Sequence, residues 1–130
     1  MCKKINITIK YKKSAGCGSL YKNGVYLKKH CGWLKTWDTI LRVGCTKKNF
    51  EDKFMFYDKK AGFAEIFKID GNGNMKRLKK YNNFRTDWSN ISWQASDICK
   101  GLIKFEKDDG YWEEYKSDDK GNLILHSKEQ

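Results

Sequence analysis

The sequence predicts an all-β fold built from three repeats of about 47 residues, and three observations carry that expectation. One phrase recurs: an aromatic, a glycine five residues on, an aromatic five after that, then a turn and a leucine. Its copies are Tyr11, Gly16, Tyr21, Leu27, then Tyr57, Gly62, Phe67, Leu78, then Phe105, Gly110, Tyr115, Leu125. The leading aromatics lie 46 and then 48 residues apart, a period that suits blade or lobe repeats and is far too long for a coiled coil. The runs inside each copy are rich in tyrosine, phenylalanine, tryptophan and isoleucine, as strands are. No stretch carries a sustained helical apolar stripe.

The copies extend in both directions. Upstream, KINITIKY, DKFMFYDK and GLIKFEKD fill the same slot. Alternation then puts Ile9, Met55 and Ile103 on one core face beside Tyr11, Tyr57 and Phe105. Downstream, GWLKTWDTI matches NNFRTDWSNI, so Trp37 pairs with Trp88 and Ile40 with Ile91. The third copy reaches GNLILHSKEQ and carries no such segment. The chain reads as one domain, 1–130, with units of about 1–45, 46–94 and 95–130, the last incomplete.

Four short strands are expected per unit, in the second KFMFYD, AEIFKI, MKRLKKY and WSNISWQ. Connections come from KKAG and from Asp70-Gly71-Asn72-Gly73-Asn74, residues that tolerate positive φ. Asn23-Gly24 and Asp118-Asp119-Lys120-Gly121-Asn122 are the equivalents of the second turn.

Composition supports a packed domain: 39 % of residues are hydrophobic and 15 % aromatic, which excludes disorder. The apolar runs are only strand-length, so no membrane span is expected, and MCKKINITIK lacks the apolar core of a secretory signal. Localisation is expected to be cytoplasmic, or secreted if a leader has been removed. Cys2, Cys17, Cys31, Cys45 and Cys99 are odd in number and include no C-x-x-C pair, so reduced, mostly buried thiols are expected ahead of a single disulfide, and no zinc site.

Residues 56–91, FYDKKAGFAEIFKIDGNGNMKRLKKYNNFRTDWSNI, resemble the bacterial propeller repeat of the FG-GAP or VCBS-like kind, itself similar to the tachylectin-type lectin blade. The matching positions are Phe56, Tyr57, Asp58, Ala61, Gly62, Glu65, Asp70, Gly71, Gly73, Asn74, Leu78, Arg85, Trp88 and Ile91. The resemblance implies propeller-type blades and glycan binding. Three units are fewer than a closed propeller of this kind uses, which leaves room for a ring closed between two chains, for a β-trefoil, or for a βγ-crystallin-like sandwich.

Candidate ligand-binding residues are aromatics beside polar groups: Trp33, Trp37 and Asp38, then Arg85, Asp87 and Trp88, then Trp112 and Glu113. Aromatic faces stack on sugar C–H faces while carboxylates and guanidinium groups bond hydroxyls. Trp37 and Trp88 read equally as core residues of an innermost strand, and Trp33, Arg85 and Trp112 as the better exposed. His30 and His126 have no nucleophile partner, so no catalytic residue and no enzymatic activity are expected. DGNGN lacks the alternating carboxylates and distal bidentate acid of a calcium loop, and no metal or other cofactor is expected.

The expected function is therefore a small lectin or carbohydrate-binding module, oligomeric if a ring is closed between chains, with an amino sugar among the candidate glycans. The alternative is a basic interaction protein, because 27 Lys and Arg against 16 acids give a net charge of +11. Its partner would be nucleic acid or an acidic protein such as a toxin domain, with the chain acting as inhibitor or immunity protein.

Overall fold

The computed structural model describes residues 6–97 and 99–129. Cys2 and the start of the N-terminal segment lie outside the described residues. Eleven strands form three antiparallel meanders, and there is no helix among the described residues. The first sheet holds β1 (Ile7–Lys12), β2 (Cys17–Lys22) and β3 (Val25–Cys31). The second holds β4 (Thr39–Cys45), β5 (Asp52–Asp58), β6 (Phe63–Ile69) and β7 (Met75–Tyr81). The third holds β8 (Asn90–Ala95), β9 (Gly101–Glu106), β10 (Trp112–Ser117) and β11 (Leu123–Lys128).

The second sheet is the filling of the stack. Every residue of β5 is buried, because both of its faces are covered and successive side chains alternate between them. Phe54 and Phe56 join Ile7, Leu20, Trp37 and Ile69 in a core shared with the first sheet. Met55 and Tyr57 join Val43, Ile66, Trp88, Ile103 and Phe105 in a core shared with the third.

The repeat has a different phase from the one expected. The segment that opens at Trp37 or Trp88 does not complete its own sheet; it crosses over, and β4 and β8 begin the next one. Trp37 and Trp88 sit in the crossing linkers, before the strands rather than within an innermost strand. The third sheet consequently has all four strands, and the first sheet has three. Phe105 and Ile103 also face the other way from the expectation. Phe105 pairs with Glu113 as Phe56 pairs with Glu65, so Phe105 takes the place of Phe56 and not of Tyr57. Nine residues separate Phe56 from Glu65 and eight separate Phe105 from Glu113, and this one-residue deletion in the turn flips the side-chain phase.

Polar clasps fasten sheet to sheet. The Ile7 N–H donates to Asp52 Oδ2 at 2.6 Å and the Ile7 carbonyl accepts from Arg42 Nη2 at 2.8 Å, while Arg42 Nη1 pairs with Asp52 Oδ1 at 2.6 Å. Buried Asp52 and half-buried Arg42 thus pair with the Ile7 N–H and carbonyl at the start of β1, on the side where β4 and β8 serve the later sheets. Between the second and third sheets, Lys53 Nζ donates to Ser117 O, Ser117 Oγ and Asp118 O at 2.8–3.1 Å.

The DGNGN turn is a third clasp. Asp70 Oδ1 accepts the N–H groups of Asn72 and Asn74, and Asp118 Oδ1 does the same for Lys120 and Asn122. Burial opposes ionisation of Asp118, but these bonds and the Asn122 amide hold its carboxyl below the usual range. Each turn lies on the outer strand of the preceding sheet: Lys28 Nζ reaches Asn74 Oδ1 at 3.0 Å and Lys79 Nζ reaches Asn122 Oδ1 at 2.6 Å. Gly73 and Gly121 have φ of +82° and +81°, and a Cβ there would meet Lys28 Cβ at 3.2 Å or Leu78 Cβ at 2.9 Å. In the first sheet, with no sheet before it, the motif shrinks to the two-residue Asn23-Gly24 turn, with φ of +51° and +83° and open space around Gly24.

Two disulfides, Cys17–Cys31 and Cys45–Cys99, replace the reduced thiols expected from the odd count. The first joins directly opposed residues of the β2–β3 hairpin; the second ties the end of β4 to the loop before β9.

The three sheets form an open row. No strand of one pairs with a strand of another, so neither a closed ring nor a trefoil barrel is formed among the described residues. The outer faces are mixed: Tyr21 and Tyr26 on the first sheet, and Trp112 and the exposed Ile124 on the third, stand among polar residues. Where the second sheet turns Leu41, Met55, Ile66 and Tyr57 toward the third, the third turns Ser92, Lys104, Glu114 and Glu106 outward. Thr8, Lys10, Lys12 and Ser19 alternate with buried residues on the first sheet in the same way.

Candidate functional site

Two clefts open between successive sheets, and they are copies of each other. The first, of about 320 Å³, is lined by His30, Trp33, Trp37, Phe56, Glu65, Phe67 and Met75, with Gly32 and Leu34 at its rim. The second, of about 240 Å³, is lined by Tyr81, Phe84, Trp88, Phe105, Glu113, Tyr115 and Leu123, with Asn83 and Arg85 at its rim. Residue by residue these occupy the same positions in the repeat. Each cleft therefore has a carboxylate, a ring from the crossing linker, a buried tryptophan and an aromatic pair from the two inner strands of the later sheet.

The linker that forms one wall is held the same way in both. Trp33 N–H donates to Gly16 O and Phe84 N–H to Gly62 O, each at 2.9 Å. Tyr11 and Tyr57 donate their hydroxyls to Leu34 O and Arg85 O, each at 2.6 Å. This is the reason for the glycine in the repeated phrase. Gly16 and Gly62 have φ of +64° and +65°, and a Cβ would lie 2.6 Å from Trp33 O or 2.8 Å from Phe84 O. Burial pushes the Tyr57 hydroxyl up to about 12, with Asp87 and Asp38 adding to it.

The aromatic walls repeat as well. Trp33 and Trp37 pack on Phe56, with ring centroids at 5.2 and 5.4 Å. Phe84 and Trp88 pack on Phe105 at 5.8 and 5.2 Å. The outer strand contributes a ring tied to the next sheet: His30 Nε2 lies 2.8 Å from Gly73 O, and the Tyr81 hydroxyl donates to Gly121 O at 2.8 Å.

The carboxylates differ in their partners. Glu65 pairs with Arg77 at 2.8 Å. Glu113 accepts the hydroxyls of Tyr111 at 2.6 Å and Tyr115 at 2.7 Å, with Arg85 Nη1 at 3.9 Å. Burial works against ionisation of Glu113, yet the two hydroxyls and Arg85 keep its carboxyl below the usual range. Burial and the Glu113 carboxylate push Tyr115 up to about 12. An ionised acceptor at the mouth of an aromatic cleft is suited to hydroxyl or ammonium donors.

Of the eight residues proposed from sequence, Trp33 and Trp37 meet in the first cleft, and Arg85, Trp88 and Glu113 in the second. Trp37 and Trp88 are 5 % and 3 % exposed, so they form cleft floor and core together. Trp33 is half-buried, because its ring occupies the space where a side chain at Gly18 would stand. Arg85 is exposed and sits 5.1 Å from the Trp88 ring. Asp38 and Asp87 line neither cleft. Asp38 Oδ2 accepts the Lys59 N–H at 2.7 Å, and Asp87 pairs with Arg85 and Lys107. Trp112 lies on the outer face of the third sheet with Lys104 Nζ 5.5 Å from its ring. Sequence reasoning did not single out His30, Phe56, Phe67, Phe105 or Tyr115 as lining residues. Their signal is the shared spacing between copies, which becomes readable once the one-residue deletion is placed.

No group of three or more His, Cys, Asp or Glu among the described residues could hold a metal ion. Among the described residues, no helix is long and apolar enough to cross a membrane. Comparison with protein-family models, with curated proteins and with solved structures finds no match.

Proposed function

We propose that the chain is a non-enzymatic carbohydrate-binding module that takes one sugar unit in each inter-sheet cleft. The duplicated cleft carries this reading: two sites with the same rings and the same carboxylate position, separated by one repeat. Their volumes lie at or below the lower end of the range for small-molecule sites, about 300 to 1,000 Å³, which suits a single ring. Stacking on Trp33 or Phe84 and hydrogen bonding to Glu65 or Glu113 would orient it, and the carboxylates favour an amino sugar. Two weak sites on one rigid body gain by avidity on a branched or repetitive glycan. Blade-like meanders stacked side by side, as in the tachylectin-type repeat, suit this use.

The test is binding to a glycan array at low and high salt, followed by titration of the best ligand. Two sites per chain, little affected by salt, with one site lost in Glu65→Gln and the other in Glu113→Gln, is the expected result. Binding only to sulfated glycans that disappears in salt would overturn it in favour of polyanion binding. That second reading is favoured by the exposed lysines of β3 and β7, Lys28, Lys29, Lys76, Lys79 and Lys80, which lie along the outer edges of two neighbouring sheets.

A further inference from the structure

A third cleft, of about 620 Å³, opens at the other end of the second and third sheets and has no counterpart in the duplicated pair. Its apolar lining comes from Phe50, Trp93, Leu102 and the Cys45–Cys99 pair. Its charge is one-sided. Lys47, Lys53, Lys100 and Lys116 all line it, against the single carboxylate of Asp119. That carboxylate is already engaged, since both of its oxygens accept the Lys47 N–H at 3.0 and 3.1 Å. The Asp118 carboxylate nearby is turned into its own turn, toward Lys120 and Asn122.

Lys53 is the unusual member. It is 2 % exposed and its ammonium bonds only neutral oxygens, two carbonyls and the Ser117 hydroxyl, with no carboxylate in direct contact. Burial pulls its amine below the usual lysine range against the pull of Asp119 and Asp118. A buried cation without a paired anion is costly, and an anion brought to the adjoining cleft would offset that cost. Trp93, another lining residue, carries a buried indole N–H with no hydrogen-bond partner. Three exposed lysines, a buried lysine that Asp119 and Asp118 offset without direct contact, and the Trp93 ring line one space.

We propose that this cleft binds a small ligand with a flat apolar body and one anionic group, a carboxylate, sulfonate or phosphate. The body lies against Trp93, Phe50 and Leu102, and the anion sits among the ammonium groups. This site is separate from the sugar clefts, and either can fail without the other.

The probe is 8-anilinonaphthalene-1-sulfonate, titrated by fluorescence into the intact, oxidised chain, with the uncharged N-phenyl-1-naphthylamine as comparison. The sulfonate is expected to bind at least about tenfold tighter than the neutral dye, and sodium benzoate is expected to compete with it. Lys47 and Lys100 are exposed, so the double variant Lys47→Ser, Lys100→Ser keeps the fold, which circular dichroism checks. It should weaken sulfonate binding about tenfold and leave the neutral dye unchanged. Lys12→Ser, an exposed lysine of the first sheet far from this cleft, should leave both unchanged. Equal affinity for the two dyes, or a double variant that binds the sulfonate as the parent does, would overturn the assignment.

Discussion

Replacing Gly62 by alanine tests why the repeated phrase contains a glycine. Alanine at φ +65° carries a backbone cost of about 1 kcal/mol. Its Cβ would stand 2.8 Å from the Phe84 carbonyl oxygen and 3.0 Å from Thr86 Cγ2, so the linker must move by several tenths of an ångström. That linker is held by the Phe84 N–H to Gly62 O bond and the Tyr57 hydroxyl to Arg85 O bond. Stretching both removes about 1 kcal/mol each, for a total loss of about 3 kcal/mol. Gly110 is the control. It occupies the corresponding turn of the third sheet with φ +92°, and nothing lies within 4 Å of where its Cβ would be. Gly110→Ala should therefore cost the backbone share alone, about 1 kcal/mol. Urea denaturation of both variants reads the difference as a larger fall in midpoint for Gly62→Ala at unchanged slope. Equal losses would refute the close-approach argument and reduce the repeated glycine to a turn former.

Other consequences follow from the clasps. Asp52→Ala leaves the Arg42 guanidinium buried without its partner and frees the Ile7 N–H, and should cost about 3–5 kcal/mol by the same denaturation. Tyr57 and Tyr115 hold their protons up to about 12 in the folded chain against about 10 in the unfolded one. Their stabilisation is therefore complete below pH 10 and lost as pH rises toward 12. Tyr57→Phe should flatten part of that alkaline limb in a melting-temperature profile. Removing Cys45–Cys99, which closes a separation of 54 residues, should destabilise by about 1 kcal/mol more than removing Cys17–Cys31, which closes 14, by the loop-entropy argument. Trp112→Ala, on the outer face, should leave glycan titrations unchanged if the sugar clefts are the sites.

The strands of the middle unit were legible because their alternation and turn chemistry agree. MKRLKKY is β7 residue for residue, and KFMFYD and AEIFKI fall within one residue of β5 and β6. What a strand pairs with was not legible, since the linker after Tyr81 is compatible with folding back or with crossing over. The chain crosses over, pairing β8 with β9 and packing Trp88 on Phe105. The phase of Phe105 was misread because a one-residue deletion in a turn leaves the spacing of aromatics almost intact while reversing every side chain. The Cys17–Cys31 bond could have been found: the two residues flank Asn23-Gly24, six before and seven after, and a bulge after Leu20 absorbs the odd residue. Cys45–Cys99 could not, because it depends on how two sheets stack. In the two paired clefts the tryptophans were visible, but the carboxylate positions Glu65 and Glu113 became equivalent only through strand register.

The two apolar faces of the second sheet make the middle unit a module in the engineering sense. Residues 39–89 run from the start of one complete sheet to the end of its crossing linker, and they carry an apolar surface on each side. Duplicating that segment in tandem should lengthen the row by one sheet and add one more cleft of the paired kind. Valency in this architecture would then be set by a copy number written in the gene, and the two terminal sheets would act as fixed end plates.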